Sequence, residues 1–144
     1  MEEAKPDVVQ PQLANIRLEW DWVKPAIEEI LHLDPNLTFR PEDVYHSVLS
    51  GESHLWTHPD FLVVTTFETD EFTGDRTFLI WLSWSRTRGL GNAAKHFTFF
   101  EGVAKQSGCR EIQVRTPHER VGEYIEQDLG WKCRDRFFGK DLQE

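Results

Sequence analysis

The run TFLIWLSWS, residues 77–85, carries apolar side chains at consecutive rather than alternating positions. A strand with one wet face alternates, so a strand without alternation needs apolar layers on both of its faces. That places this segment inside a sheet with helices above and below it.

The flanking sequence supplies those layers. HLWTH (54–58) and FLVVTTFET (61–69) read as strands joined by a Pro59-Asp60 turn,. DEFTGD (70–75) turns the chain again into the 77–85 strand, giving an antiparallel meander. Further along, Ala93, Phe97, Phe100 and Ala104 fall at spacings of four, three and four, the stripe of an amphipathic helix,. Asn92 is its expected N-cap and Gly108 its expected C-terminal stop. Gly102, inside that helix, reads as a point of close backbone approach. REIQVRT (110–116) alternates as a strand. Val121, Ile125 and Leu129 make a fourth helix ended by Gly130, and WKCRDRFFGKDL (131–142) reads as a closing strand.

Upstream of the meander, NIRLEW (15–20) reads as a short strand and Trp22–Leu33 as a helix with Pro25 in its first turn,. Pro41 opens a second helix that Gly51 ends,. The order is β-α-α-β-β-β-α-β-α-β. A meander gives antiparallel pairs, and a later β-α-β crossover adds a parallel one. The fold class is α/β: a mixed, mostly antiparallel sheet with helices on both faces. Residues 15–144 form a single domain, preceded by a flexible acidic arm over 1–14.

Charge narrows function. The net charge of −9 argues against non-specific nucleic-acid binding, which needs a basic face,. No apolar run reaches the ~20 residues of a membrane span. The N-terminus does not resemble a secretory signal. A soluble, cytoplasmic protein is expected. Cys109 and Cys133 read as small buried hydrophobes in a reducing compartment, not as a disulfide,. His54 and His58 flank a strand with no third ligand to nominate, so no metal is expected. Trp20, Trp22, Trp56 and Trp84 read either as core or as a partner surface.

The junction RTRGLG (86–91) carries the distinctive chemistry. A helix N-terminus offers unpaired N–H groups, and glycines let a phosphate approach them. Arg86 and Arg88 can add charge-assisted hydrogen bonds. The same residues could equally make a plain strand-to-helix turn.

The segment RTRGLGNAAKHFTFFEGVAKQSGCREIQVRT resembles the cofactor-binding segment of the GCN5-related N-acetyltransferases (GNAT), with its R/Q-x-x-G-x-G/A loop between strand and helix. YIEQDLGWKCRDRFFGKDL resembles that family's closing helix and "LGF" strand, with Leu129, Gly130 and Trp131 in those places. The resemblance spans about residues 15 to 142. It implies an acetyl-CoA-binding protein, acting as an N-acetyltransferase on an unknown amine. Arg86, Arg88, Gly89, Leu90, Gly91 and Asn92 would hold the pyrophosphate. Strand Phe78–Ser83 would splay from Glu111–Arg115 to receive the pantetheine arm.

The resemblance departs at the catalytic acid. The family's tyrosine, four residues before the "LGF" glycine, is replaced by Glu126. Tyr124 lies two residues earlier, about 200° around the helix. Glu126, Tyr124 and Glu123 are therefore the catalytic candidates. Where the family closes with two strands, only one fits here. LWTHPDFLVVTTFE…FLIWLSWS also resembles small bacteriophage proteins of this fold. That implies an alternative, a non-catalytic binding or structural protein, virion-associated or directed at a host protein.

Overall fold

The computed structural model describes residues 9–87 and 93–143. In chain order the elements are β1 (Gln12–Leu13), α1 (Ile16–Leu33), α2 (Pro41–Leu49), β2 (Ser53–His58), β3 (Phe61–Thr69), β4 (Arg76–Ser85), a 3-10 turn (Ala94–His96), α3 (Phe97–Gln106), β5 (Glu111–Val114) and α4 (Glu119–Gln127). One sheet runs β1-β2-β3-β4-β5. Its first three pairings are antiparallel and β4–β5 is parallel. The expected mixed α/β layering is present.

The sheet divides the core in two. Phe61, Val63, Phe78 and Ile80 point to one face and pack under Phe97, Phe100, Ala104 and Ile125 of α3 and α4. Leu55, Leu62, Val64 and Leu82 point to the other and meet Ile16, Val23, Ile27 and Val44 of α1 and α2. β4 serves both layers, which is why its sequence does not alternate. Trp56 is nearly buried, and its indole N–H donates to Thr65 Oγ1 at 2.9 Å.

NIRLEW is not a strand. Asn15 Oδ1 accepts the Arg17 N–H at 3.0 Å and caps a helix that starts at Ile16,. Ile16, Trp20, Val23 and Ile27 recur every three or four residues and face the core, whereas Leu18 is 79% exposed. The apparent alternation was the start of a helical stripe. Pro25 consequently lies inside α1 rather than in its first turn. Both Pro25 and Asp21, whose carbonyl loses its partner, are exposed, so solvent can serve that carbonyl,. The first strand is instead Gln12–Leu13, residues assigned above to the arm, which pair with Thr57 and Trp56.

WKCRDRFFGKDL forms no strand either. Lys132, Arg134 and Arg136 alternate with Cys133, Asp135 and Phe137, so neither face is apolar enough to bury,. The tail is held by side chains at its start: the Trp131 indole donates to Glu101 Oε2 at 2.7 Å and stacks on Phe97, and Arg134 pairs with Glu111. Beyond this, Phe137, Phe138 and Leu142 are exposed. Cys133 is exposed and Cys109 half-buried, both as free thiols, so neither is the fully buried hydrophobe expected. Burial nonetheless pushes the Cys109 thiol pKa up.

Gly108, at φ +75°, ends α3 as expected,. Gly102 does not mark a close approach: a methyl there would meet nothing within 4 Å. The expected cap Asn92 lies outside the described residues, and regular α3 begins only at Phe97, after the 3-10 turn.

Candidate active site at the β4–β5 fork

β4 and β5 pair from Thr77↔Glu111 to Ile80↔Val114, where β5 ends. β4 continues to Ser85 with no described strand beside it on that edge. The strands therefore part after Ile80, not from Phe78 as the resemblance implied. At the same point the β3 ladder skips a residue: Thr65 faces Ile80 and Val64 faces Leu82. Trp81 is the extra residue of a β-bulge.

The bulge resets the faces of the strand. Ile80 belongs to the α3/α4 layer, but Leu82, two residues on, belongs to the α1/α2 layer, as does Trp84,. Trp84 thereby reaches α1, where its ring lies 6.2 Å from that of Trp22. Its indole donates to Glu29 Oε2 at 3.1 Å, and that of Trp22 to Glu19 Oε1 at 2.6 Å. Trp81 packs 5.1 Å from Phe39, which comes from the segment between α1 and α2. The fork is thus walled by aromatic rings on its α1/α2 side. The run Ile80-Trp81-Leu82 does not single out Trp81 in the sequence, because a bulge and a doubly buried strand leave the same trace.

Of the expected cofactor-binding residues, Arg88, Gly89, Leu90, Gly91 and Asn92 lie outside the described residues. Arg86 is described, and it faces the β2–β3 turn. Its backbone N–H donates to Asp60 O at 2.7 Å and its Nε to Pro59 O at 3.0 Å. Its guanidinium carbon sits 5.4 Å from the Trp22 ring centre and 5.5 Å from that of Trp84,. On the far side of the loop the Ala93 N–H donates to Ser85 Oγ at 3.3 Å.

Of the catalytic candidates, Glu123 and Glu126 share one cleft and Tyr124 lies apart from it. Tyr124 packs against the α3/α4 cluster. Glu123 and Glu126 are exposed and line an open cleft of about 440 Å³ with Glu119, His118 and Arg136. Among the described residues no three His, Cys, Asp or Glu side chains gather as a metal site, and no helix is long and apolar enough to cross a membrane.

No protein-family model and no curated protein matches the chain by sequence. Solved structures do match. A "probable acetyltransferase" superposes with a TM-score of 0.70 at 12% identity, covering 94% of this chain and 99% of that one. A ribosomal-protein-alanine N-acetyltransferase of Brucella melitensis biovar Abortus 2308 gives 0.67 at 11% identity, over 93% and 100%. This is the GCN5-related N-acetyltransferase fold. An acetyltransferase of Trypanosoma brucei shares the GNAT fold too, at 0.63 and 12% identity, over 92% and 99%. At such identities the GNAT architecture is common to all of them, and no side-chain role carries across.

Proposed function

We propose that the protein binds acetyl-CoA at the β4–β5 fork and transfers the acetyl group to an amine. The coincidence of fork and bulge carries this reading. Where β5 ends, β4 offers an edge over Trp81–Ser85 with no described strand beside it, open to the amides of a pantetheine arm,. A bulge residue has backbone groups outside the regular ladder. The Trp81 N–H is thus the donor for the thioester carbonyl oxygen, which becomes an oxyanion when the amine attacks. Collapse of the tetrahedral adduct breaks the C–S bond and releases the thiolate. The loop 87–92, with Arg88 and the amides of Gly89, Leu90, Gly91 and Asn92, cradles the pyrophosphate. Arg86 holds the start of that loop through Pro59 and Asp60 rather than reaching for phosphate.

Proton transfer falls to solvent at the open fork, with Glu126 the nearest candidate in sequence to a fixed base. Isothermal calorimetry with acetyl-CoA tests the reading. Heat is expected from the parent protein, with affinity about tenfold weaker in Arg88→Ala, the worth of a charge-assisted hydrogen bond. No heat at millimolar acetyl-CoA would overturn it.

The exposed Glu126 and the strandless tail favour a second reading, a binding protein that keeps the fold without catalysis, such as a bacteriophage virion or host-interaction protein,. It predicts a protein that turns over no amine even with acetyl-CoA bound.

A further inference from the structure

Both flanks of the 88–92 loop come to rest on the same short turn. On the entry side, Arg86 donates to the carbonyls of Asp60 and Pro59. On the exit side, His96, the last residue of the 3-10 turn, packs its ring 4.8 Å from Phe61 and 4.8 Å from His58. His58 stacks flat on Phe61, with centroids 4.3 Å apart and planes 11° apart.

The hydrogen bonds fix the state of His58. Its Nδ1 accepts the Asp60 N–H at 3.0 Å, so that nitrogen carries no proton,. The proton is on Nε2, which donates to Val9 O at 3.0 Å. A second proton has to go on Nδ1, where it would face the Asp60 N–H and break that bond. The charge would also lie against His96. The charged groups at this turn are Asp60, which favours a protonated His96, and Arg86, whose guanidinium is held by Pro59 O and the two indoles. Lys95, next to His96 on the 3-10 turn, is exposed. From α4, which also packs on this turn, it is apolar Ile125 that joins Ala94 and Phe97 in the core.

We propose that His58 and His96 are positioning residues: as a neutral pair they dock both flanks of the loop on the β2–β3 turn, and protonation of the pair undocks them. The inference rests on the reading of the loop as the acetyl-CoA site. Its consequence is cofactor affinity that is whole at neutral pH and falls in mild acid. Independently, burial first and the neighbouring His58 second hold the His96 pKa below the usual 6.5. A depressed histidine leaves stability intact above about 6.5 and withdraws it as the pH falls toward and through its folded value. The sign agrees with the geometry.

The test is acetyl-CoA affinity at pH 7.5 and 5.5 for the parent and the double variant His96→Phe/His58→Asn, since either single variant leaves one titratable ring at the turn. Phenylalanine keeps a ring on Phe61 without a titratable nitrogen. Asparagine keeps an acceptor two residues before Asp60, as in an Asx turn. The cofactor's own phosphate titrates equally for both. The parent is expected to lose about tenfold more affinity than the double variant, the worth of one hydrogen bond. Parallel losses would overturn the latch and leave the cofactor reading standing. If acetyl-CoA binds at neither pH, the cofactor reading falls, and amide exchange of Asp60 and Arg86 without ligand decides the latch. Lower protection at pH 5.5, relative to the intrinsic exchange rate at that pH, in the parent but not in the double variant upholds it; equal protection in both sinks it.

Discussion

Arg86 shows how much a residue's meaning depends on partners distant in sequence. Its charge and its place before two glycines are readable, but the Pro59 carbonyl that takes its Nε, 27 residues earlier, is not. Glycines behave differently, because φ is local. Gly108 sits at φ +75°, where a side chain is strained, while Gly102 is helical with open space around it. Gly102→Ala is expected to raise unfolding free energy by about 1 kcal/mol, and Gly108→Ala to lower it by about 1 kcal/mol. Urea denaturation of the two variants checks the pair; equal effects would contradict the backbone assignment. The helix-ending glycines were legible for this reason. The carboxylates of α4 were legible as residues but not as a site, since nothing in a helical spacing says whether the face it builds will be covered. Here it is left open to solvent.

At the scale of elements, Trp81 is the test of the arrangement. Deleting it would restore an unbroken ladder with every pair kept, Leu82 opposite Val64 and Trp84 opposite Leu62, both still facing α1 and α2. Only the Trp81 ring, packed on Phe39, would lose its site, so the deletion is expected to cost about 3 kcal/mol or less,, read from the denaturation midpoint. A cost above about 5 kcal/mol would mean that Leu82 and Trp84 do not keep their faces without the bulge. The meander was legible because Pro59-Asp60 and DEFTGD punctuate it. Asp70 Oδ1 accepts the N–H groups of Phe72 and Thr73, and these bonds hold its carboxyl below the usual range. The start of α1 was not legible, because Ile16, Leu18 and Trp20 satisfy period two as well as Ile16, Trp20 and Val23 satisfy the helical period. Only Asn15, bonding forward to Arg17, broke the tie. The tail failed for the opposite reason: charges alternate there, but no apolar face does.

For the molecule as a whole, the layered architecture follows from the doubly apolar β4, and the expected sheet class is the one found. The fork within it was legible only through the loop motif. Its position depends on where β5 stops, and the alternation of REIQVRT gave no sign that pairing would end at Val114.

That seam has a kinetic side. Strand order in space follows order along the chain. β2 and β3 close over Pro59–Asp60, and β3 and β4 over residues 70–75, whereas β5 joins only after the whole crossover 86–110 has been laid out. Closing the longer loop costs more entropy before any contact repays it. The hairpins therefore zip early and the parallel seam last. Pulse-labelled exchange during refolding should protect the amides of β2 and β3 before those of Glu111–Val114; simultaneous protection would refute this sequence of events. A ligand wedged into a crevice born so late acts after the folding barrier, so it should retard unfolding and leave the rate of refolding unchanged.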